Sequence, residues 1–132
     1  HINSAVKNRE WYSPFAPTVL EDEAKNFFEI SYPSPFMLFI SNVVPEKKGE
    51  IPSVTHVDGT ARVQTVNKFQ DPEFYELIKK FGTKTGISLL LNTSFNRRNE
   101  PIVESPEQAV EAFTGMDLDA LILEDSLITK RK

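Results

Sequence analysis

The sequence predicts an α/β fold, a single layered domain with a twisted mixed sheet and flanking helices. Three observations predict it. Two segments carry full helix start and stop signals, one stretch alternates between two faces, and short apolar runs of strand length separate the helices. The stronger helix is "QDPEFYELIKKFGTKTG". Asp71 caps it, Pro72 takes the first helical position and Gly86 closes it. Phe74, Leu77, Ile78 and Phe81 form its expected apolar stripe. In "SPEQAVEAF", Ser105 caps, Pro106 begins the helix, Gln108 completes a capping box and Gly115 ends it.

The alternating stretch follows the turn signal Asp58-Gly59. Ala61, Val63 and Thr65 fall on one face, with Thr60, Arg62, Gln64 and Val66 on the other. Phe36 to Ile40, Ile87 to Leu91 and "DALILED" read as further strands, the last of them buried. The expected order from Phe36 is strand, strand, helix, strand, helix, strand. Nearer the start, Pro14 and Pro17 bracket Phe15-Ala16, which predicts an extended segment without ladder partners on its proline side. Glu21 to Phe28 reads as a short helix, and "VVPEKKGEIPSV" as a charged loop.

Composition narrows the function. A length of 132 residues is that of one domain, and 39% hydrophobic residues with ten Phe supply a core. Net charge of −4 and a pI near 5.2 leave no general nucleic-acid footprint, so a polyanion would need a local basic cluster. The absence of Cys removes disulfides, thiol chemistry and thiolate metal sites, and two His make zinc a poor candidate. No metal site is expected. No apolar run has the length of a membrane span and no signal peptide is seen, so the expected location is cytoplasmic.

The stretch with most chemistry is "LLLNTSFNRRNEPIV". An apolar strand ends in Asn92, Thr93, Ser94 and Asn96, small polar residues placed where α/β folds commonly hold ligands. Lys7 and Arg9, spaced K-x-R, point to one side of an extended chain and grip an anion, or are two solvated surface cations. Arg62 shares a strand face with Thr60. It binds an anion or pairs with a carboxylate. Ser94 and Asn96 donate to a ligand or cap a turn. His56 and Asp58 form a polar pair, in which His56 serves as a metal ligand or general base or belongs to a structural turn. Together these residues supply what a phosphate or acyl-phosphate pocket needs: fixed cations, hydroxyl and amide donors, and freed backbone N–H groups. Arg97 and Arg98 read as solvated.

"VKNREWYSPFAPTVL", "PSVTHVDGTARVQTV" and "LLNTSFNRRNEPIVESPEQAVEAF…LDALIL" together resemble the C-terminal region of the nodulation and antibiotic O-carbamoyltransferases. The resemblance covers nearly the whole chain. It implies that residues 1–132 are a YrdC-like, carbamoyl-adenylate-forming domain whose N-terminal transferase domain is absent here. It implies ATP and carbamoyl phosphate as substrates, with Mg²⁺ held mainly by phosphates, and no nucleic acid or membrane partner. The N-terminal domain of the same polypeptide would bind the acceptor, and the whole enzyme is expected to form a homodimer.

The family's K-x-R…S-x-N tetrad falls on Lys7, Arg9, Ser94 and Asn96. Arg62, in "THVDGTARVQT", falls on the arginine expected to bind phosphate, with Thr60, His56, Thr93 and Asn92 as its companions. Two positions depart from the family pattern. Ser13 stands where Arg usually precedes "PFAP". Asn99 stands where Gly usually precedes "EPIV", and Asn is suited to a left-handed turn position. An apolar face carrying Trp11, Tyr12 and Phe15 is expected to meet the N-terminal domain.

Overall fold

The segment between the N-terminal prolines is the centre of the main sheet. In the computed structural model, which describes residues 2–7, 10 and 12–130, strand β1 is Ala16–Leu20 and is buried along its whole length. The other elements are β2 (Ile40–Asn42), β3 (Thr60–Arg62), β4 (Gln64–Val66), α1 (Pro72–Thr85), β5 (Leu89–Asn92), α2 (Pro106–Gly115), β6 (Ala120–Leu123) and β7 (Ser126–Thr129). Strand β1 lies between β4, parallel to it, and β5, antiparallel, so the sheet is mixed as expected. Contacts gather the chain into two compact units, Pro14–Thr93 and the residues up to Ser13 together with Ser94 onward.

In the unit Pro14–Thr93, the expectation of an extended segment holds, but its lack of partners does not. Pro17 has Leu91 as its partner on β5, while the parallel ladder to β4 starts only at Thr18. The missing N–H of Pro17 therefore falls before that ladder begins. The expected helix over Glu21–Phe28 shrinks to a 3₁₀ turn at Ala24–Asn26, too short for the apolar periodicity of an α-helix. The turn is tied down at Asp22, whose carboxylate accepts a 2.9 Å hydrogen bond from Tyr75 on α1. That bond, aided by burial, raises the Tyr75 phenol above its ordinary pKa.

The expected strand Phe36–Ile40 is also absent. Only Ile40 enters β2, and Phe36, Leu38 and Ile40 stand exposed. An apolar run has strand length without having a partner to bury it. The alternation from Thr60 to Val66 is right in its burial but spans two strands. Strand β3 pairs with β2 and β4 pairs with β1, with Val63 buried at the break.

Helix α1 has the expected ends. Asp71 accepts from the Phe74 N–H at 3.0 Å, and Gly86 adopts φ +82°. Its inner face is rotated from the expected stripe. Tyr75, Ile78 and Gly82 are buried and Phe74 packs beside them, while Leu77 and Phe81 are exposed. Gly82 sets this rotation: a Cβ there would sit 2.2 Å from Ser88 Oγ and 2.9 Å from its Cα. Helix α1 covers Leu20, Val66 and Leu90 at one end of the sheet face.

In the other unit, α2 packs Ala109 and Phe113 against Leu121 of β6, with Phe95, Val103, Leu118, Leu123 and Ile128 around them. Ser105 caps α2 through the Gln108 N–H, and the Gln108 side chain reaches back to the Glu104 N–H, one residue before the cap. "DALILED" is a strand, but not a buried one. It forms a hairpin with β7 in which only Leu121 is buried, because among the described residues this pair has no third strand. The tight turn places Glu124 at φ +50°.

Candidate functional site

The turn after β5 is built around a buried lysine. The chain reaches Lys7 through a π-helical turn, Ile2–Val6, and not through an extended arm. Lys7 is 8% exposed. Its ammonium donates to the carbonyls of Ser94 (2.8 Å) and Asn96 (3.0 Å) and to Asn96 Oδ1 (2.8 Å), with Ser94 Oγ at 3.5 Å. Ser94 Oγ donates to Asn96 Oδ1 at 2.6 Å. Asn96 Nδ2 donates to the carbonyls of Arg97 and Glu100. The structure thus brings Lys7, Ser94 and Asn96 together. Arg9 lies outside the described residues.

This geometry corrects two expectations. Lys7 does not stand out on the surface to grip an anion; its charge is spent on the turn's own oxygens. Nor are the Ser94 hydroxyl and Asn96 amide held ready as donors, since their hydrogens serve the turn. What the turn leaves open is backbone. The N–H groups of Ser94, Phe95 and Asn96 donate to no group among the described residues. Successive free N–H groups in a turn suit an anion, and a buried ammonium on the same turn adds positive potential. Asn99 completes the loop at φ +64°, the left-handed position expected for it. Arg97 is not free in solvent. It pairs with Glu100 (2.9 Å) and Glu111 (3.0 Å), and these bonds raise its pKa further.

Within Pro14–Thr93, the strand end at β3 has the opposite character. The Arg62 side chain is exposed and makes neither a hydrogen bond nor an ion pair among the described residues. Among the described residues it has no carboxylate partner of the kind a strand arginine commonly has. Just before it, the turn from His56 to Thr60 is closed by the His56 N–H on the Thr60 carbonyl (2.7 Å), with Gly59 at φ +82°. Asp58 Oδ1 accepts from both the Thr60 N–H (3.0 Å) and the Thr60 hydroxyl (2.7 Å). These bonds, with a smaller contribution from His56, hold the Asp58 carboxyl below its ordinary pKa.

The hydroxyl has one proton, and Asp58 takes it. His56 Nδ1, 3.0 Å from the same oxygen, must then be the donor in that contact. The neutral ring therefore carries its proton on Nδ1 and presents Nε2 as an acceptor. This relay of three side chains was visible in the sequence only as a turn signal with a polar pair.

A third cluster involves Asn92, at the end of β5. Its amide donates to Thr18 Oγ1 (3.0 Å) and Gln64 Oε1 (2.7 Å), making a polar cluster on the sheet face that also carries Leu20, Val66 and Leu90. Gln64 and Thr18 were not singled out from the sequence. Their place opposite Asn92 becomes visible only with the strand register. Thr93 follows Asn92 and is half-buried. Ser13, at the position where the family usually has Arg, accepts through its carbonyl from Asn3 Nδ2 at 2.9 Å. Phe15 is buried and cannot present an apolar face, while Tyr12 is exposed; Trp11 lies outside the described residues.

The chain is thus a mixed-sheet α/β protein with a lysine-anchored S-x-N turn and a strand arginine whose side chain is unpaired among the described residues. A family model described as "Carbamoyltransferase C-terminus" matches residues 1–130, and the chain belongs to that family. It is 48% identical over 98% of its length to nodulation protein NolNO of Sinorhizobium fredii, and covers 20% of that protein. It is 44% identical over 98% of its length to nodulation protein NolO of Bradyrhizobium diazoefficiens, covering 24% of it. Nodulation protein U of Rhizobium tropici is 45% identical over 69% of the chain. The chain thus spans about a fifth to a quarter of the length of the first two relatives. No helix among the described residues is long and apolar enough to cross a membrane.

Proposed function

We propose that this chain is the adenylate-forming part of an O-carbamoyltransferase. It takes ATP, carbamoyl phosphate and water to carbamoyl adenylate, pyrophosphate and phosphate. A carbamate oxygen forms the new bond to the α-phosphorus, and pyrophosphate leaves with the electron pair of the broken P–O bond. The carbamoyl group then goes to a hydroxyl acceptor bound by further sequence of the polypeptide, in keeping with the greater length of the relatives.

The observation that carries this reading is the convergence of Lys7 on Ser94 and Asn96, at the spacing of the K-x-R…S-x-N tetrad. In this scheme Lys7 keeps the turn in shape and lends it charge. The N–H groups of Ser94, Phe95 and Asn96 bind phosphate oxygens as charge builds on them. In the unit Pro14–Thr93 taken by itself, exposed Arg62 is the cation open to a phosphate group, with Thr60 and His56 Nε2 as nearby polar groups. Among the described residues no group of three or more His, Asp or Glu is arranged to hold a metal ion. The donors present fit a Mg²⁺ carried by the ATP phosphates, where it would neutralise charge.

The engaged state of Lys7 also favours a second reading, in which the domain only binds nucleotide or packs on the rest of the polypeptide. The test is ATP–pyrophosphate exchange. Label should pass from pyrophosphate into ATP only when carbamoyl phosphate and Mg²⁺ are present. No exchange under those conditions would favour the non-catalytic reading, and exchange that needs threonine and bicarbonate instead would point to a threonylcarbamoyl-adenylate factor.

A further inference from the structure

The polar cluster around Asn92 is a chain of fixed hydrogen bonds with one loose end. It begins at Ser34, which is 1% exposed. The Ser34 N–H donates to Thr65 Oγ1, its hydroxyl donates to the Val63 carbonyl, and its own carbonyl accepts from the Thr65 N–H. Three bonds to the chain around β4 thus pin the residue before Pro35. The Pro35 carbonyl accepts from Gln64 Nε2 at 3.2 Å. A carbonyl can only accept, so Gln64 must face it with nitrogen and turn Oε1 towards β1. Oε1 then accepts from the Thr18 hydroxyl (2.8 Å) and from Asn92 Nδ2 (2.7 Å).

The last link fixes Asn92. Facing an acceptor, it must present its NH₂ group, which also reaches Thr18 Oγ1. Its carbonyl oxygen Oδ1 is left pointing out of the network and accepts no hydrogen bond among the described residues. Asn92 is half-buried. An amide at a strand end normally rotates to suit its ligand. This one is held in a single sense, as an acceptor, by a relay that starts at a buried serine. Leu90, two residues back on the same face, packs against the apolar cluster under α1, and Asn92 itself keeps part of its surface exposed.

We propose that Asn92 Oδ1 is a specificity determinant that accepts a hydrogen bond from the NH₂ group of the carbamoyl moiety, with Gln64 as its positioning residue. The inference rests on the proposed adenylate-forming reaction. An acyl phosphate with a methyl group in place of NH₂, such as acetyl phosphate, offers Oδ1 no proton and leaves it desolvated and unpaired. Polar groups held ready in this way discriminate mainly by rejecting the analogue that cannot pair with them.

The experiment compares carbamoyl phosphate with acetyl phosphate as the activator of ATP–pyrophosphate exchange, using kcat/KM for each. The unsubstituted chain should prefer carbamoyl phosphate. Asn92→Ala should reduce that preference about ten-fold, the scale of one neutral hydrogen bond. Gln64→Met, which keeps Asn92 but frees its amide to turn, should reduce it by a smaller factor. It serves as the reading if Asn92→Ala proves unstable.

An unchanged preference in folded variants, with both substrates losing equally, would overturn the proposal and leave Asn92 a structural residue. Exchange that loses its preference for ATP over ITP instead would assign Oδ1 to the adenine amine and likewise overturn it. Absence of exchange in the unsubstituted chain would remove the underlying reaction first, so the two failures are distinct.

Discussion

The Lys7 turn and the Arg62 strand end carry the same kind of residue in opposite surroundings. Lys7 is buried with its ammonium on four oxygens of its own turn, whereas Arg62 is exposed and unpaired among the described residues. The difference separates two jobs that a motif cannot tell apart. A cation that shapes a loop costs stability when removed; a cation held out for a ligand costs affinity. The sequence offered both as anion grips. Only their surroundings distinguish them.

The largest expected effect breaks the closed region. Lys7→Met should destabilise the fold by about 3 kcal/mol, since hydrogen bonds to a buried charged group are lost and the turn oxygens are left unpaired. Urea unfolding measures this, and a loss below about 0.5 kcal/mol would place Lys7 with ordinary surface lysines.

A scaffold control comes next. Gly82→Ala forces a methyl into Ser88, whose Cα is only 2.9 Å from the added atom, and should cost about 2 kcal/mol by overpacking. Carbamoyl phosphate affinity, measured on the fraction that remains folded, should stay unchanged. A parallel loss of affinity would show that stability and binding are not separable here.

Both helices and their caps could be read from the sequence because Asp71-Pro72, Ser105-Pro106 and Gly86 act locally. Strand β1 could not be read so directly. Pro17 looks like a breaker until the register shows that the β4 ladder starts after it. Phe36 to Ile40 misled for the converse reason: hydrophobicity sets the gain on burial but not whether this chain supplies the cover. For the site, the K-x-R spacing singled out Lys7 and the polar strand end Ser94 and Asn96, and the family resemblance joined them. It did not reveal that Lys7 is buried, because lysine is ordinarily a surface residue and its partners lie far along the chain. The Gln64–Asn92 relay was hidden in the same way, since it depends on which strands are neighbours.

Two smaller effects refine the contrast. Asn99→Val puts a β-branched residue at φ +64° and should cost about 1–2 kcal/mol, while Asn99→Gly should be neutral within a few tenths. Equal stability of the valine and glycine variants would mean that the loop does not need its left-handed residue. Asp58→Ala, in the open region, tests a pH effect. The folded-state pKa of Asp58 is depressed, so its contribution is present above the unfolded pKa and is lost as pH falls through the folded value. The variant should therefore be less stable than the unsubstituted chain at neutral pH, and the gap should narrow as the solution is acidified below the usual carboxylate range. A gap that widens on acidification has the wrong sign for this cause.

The most direct measurement is calorimetric titration of carbamoyl phosphate into Arg62→Ala beside the unsubstituted chain, with urea unfolding of both. The account predicts an affinity lower by about 1.5–3 kcal/mol, the scale of a lost charge-assisted bond, and an unfolding midpoint that does not move. An unchanged affinity, or a loss that appears only with a lowered midpoint, would contradict it: Arg62 would then serve the fold, and the open strand end would not be where phosphate binds.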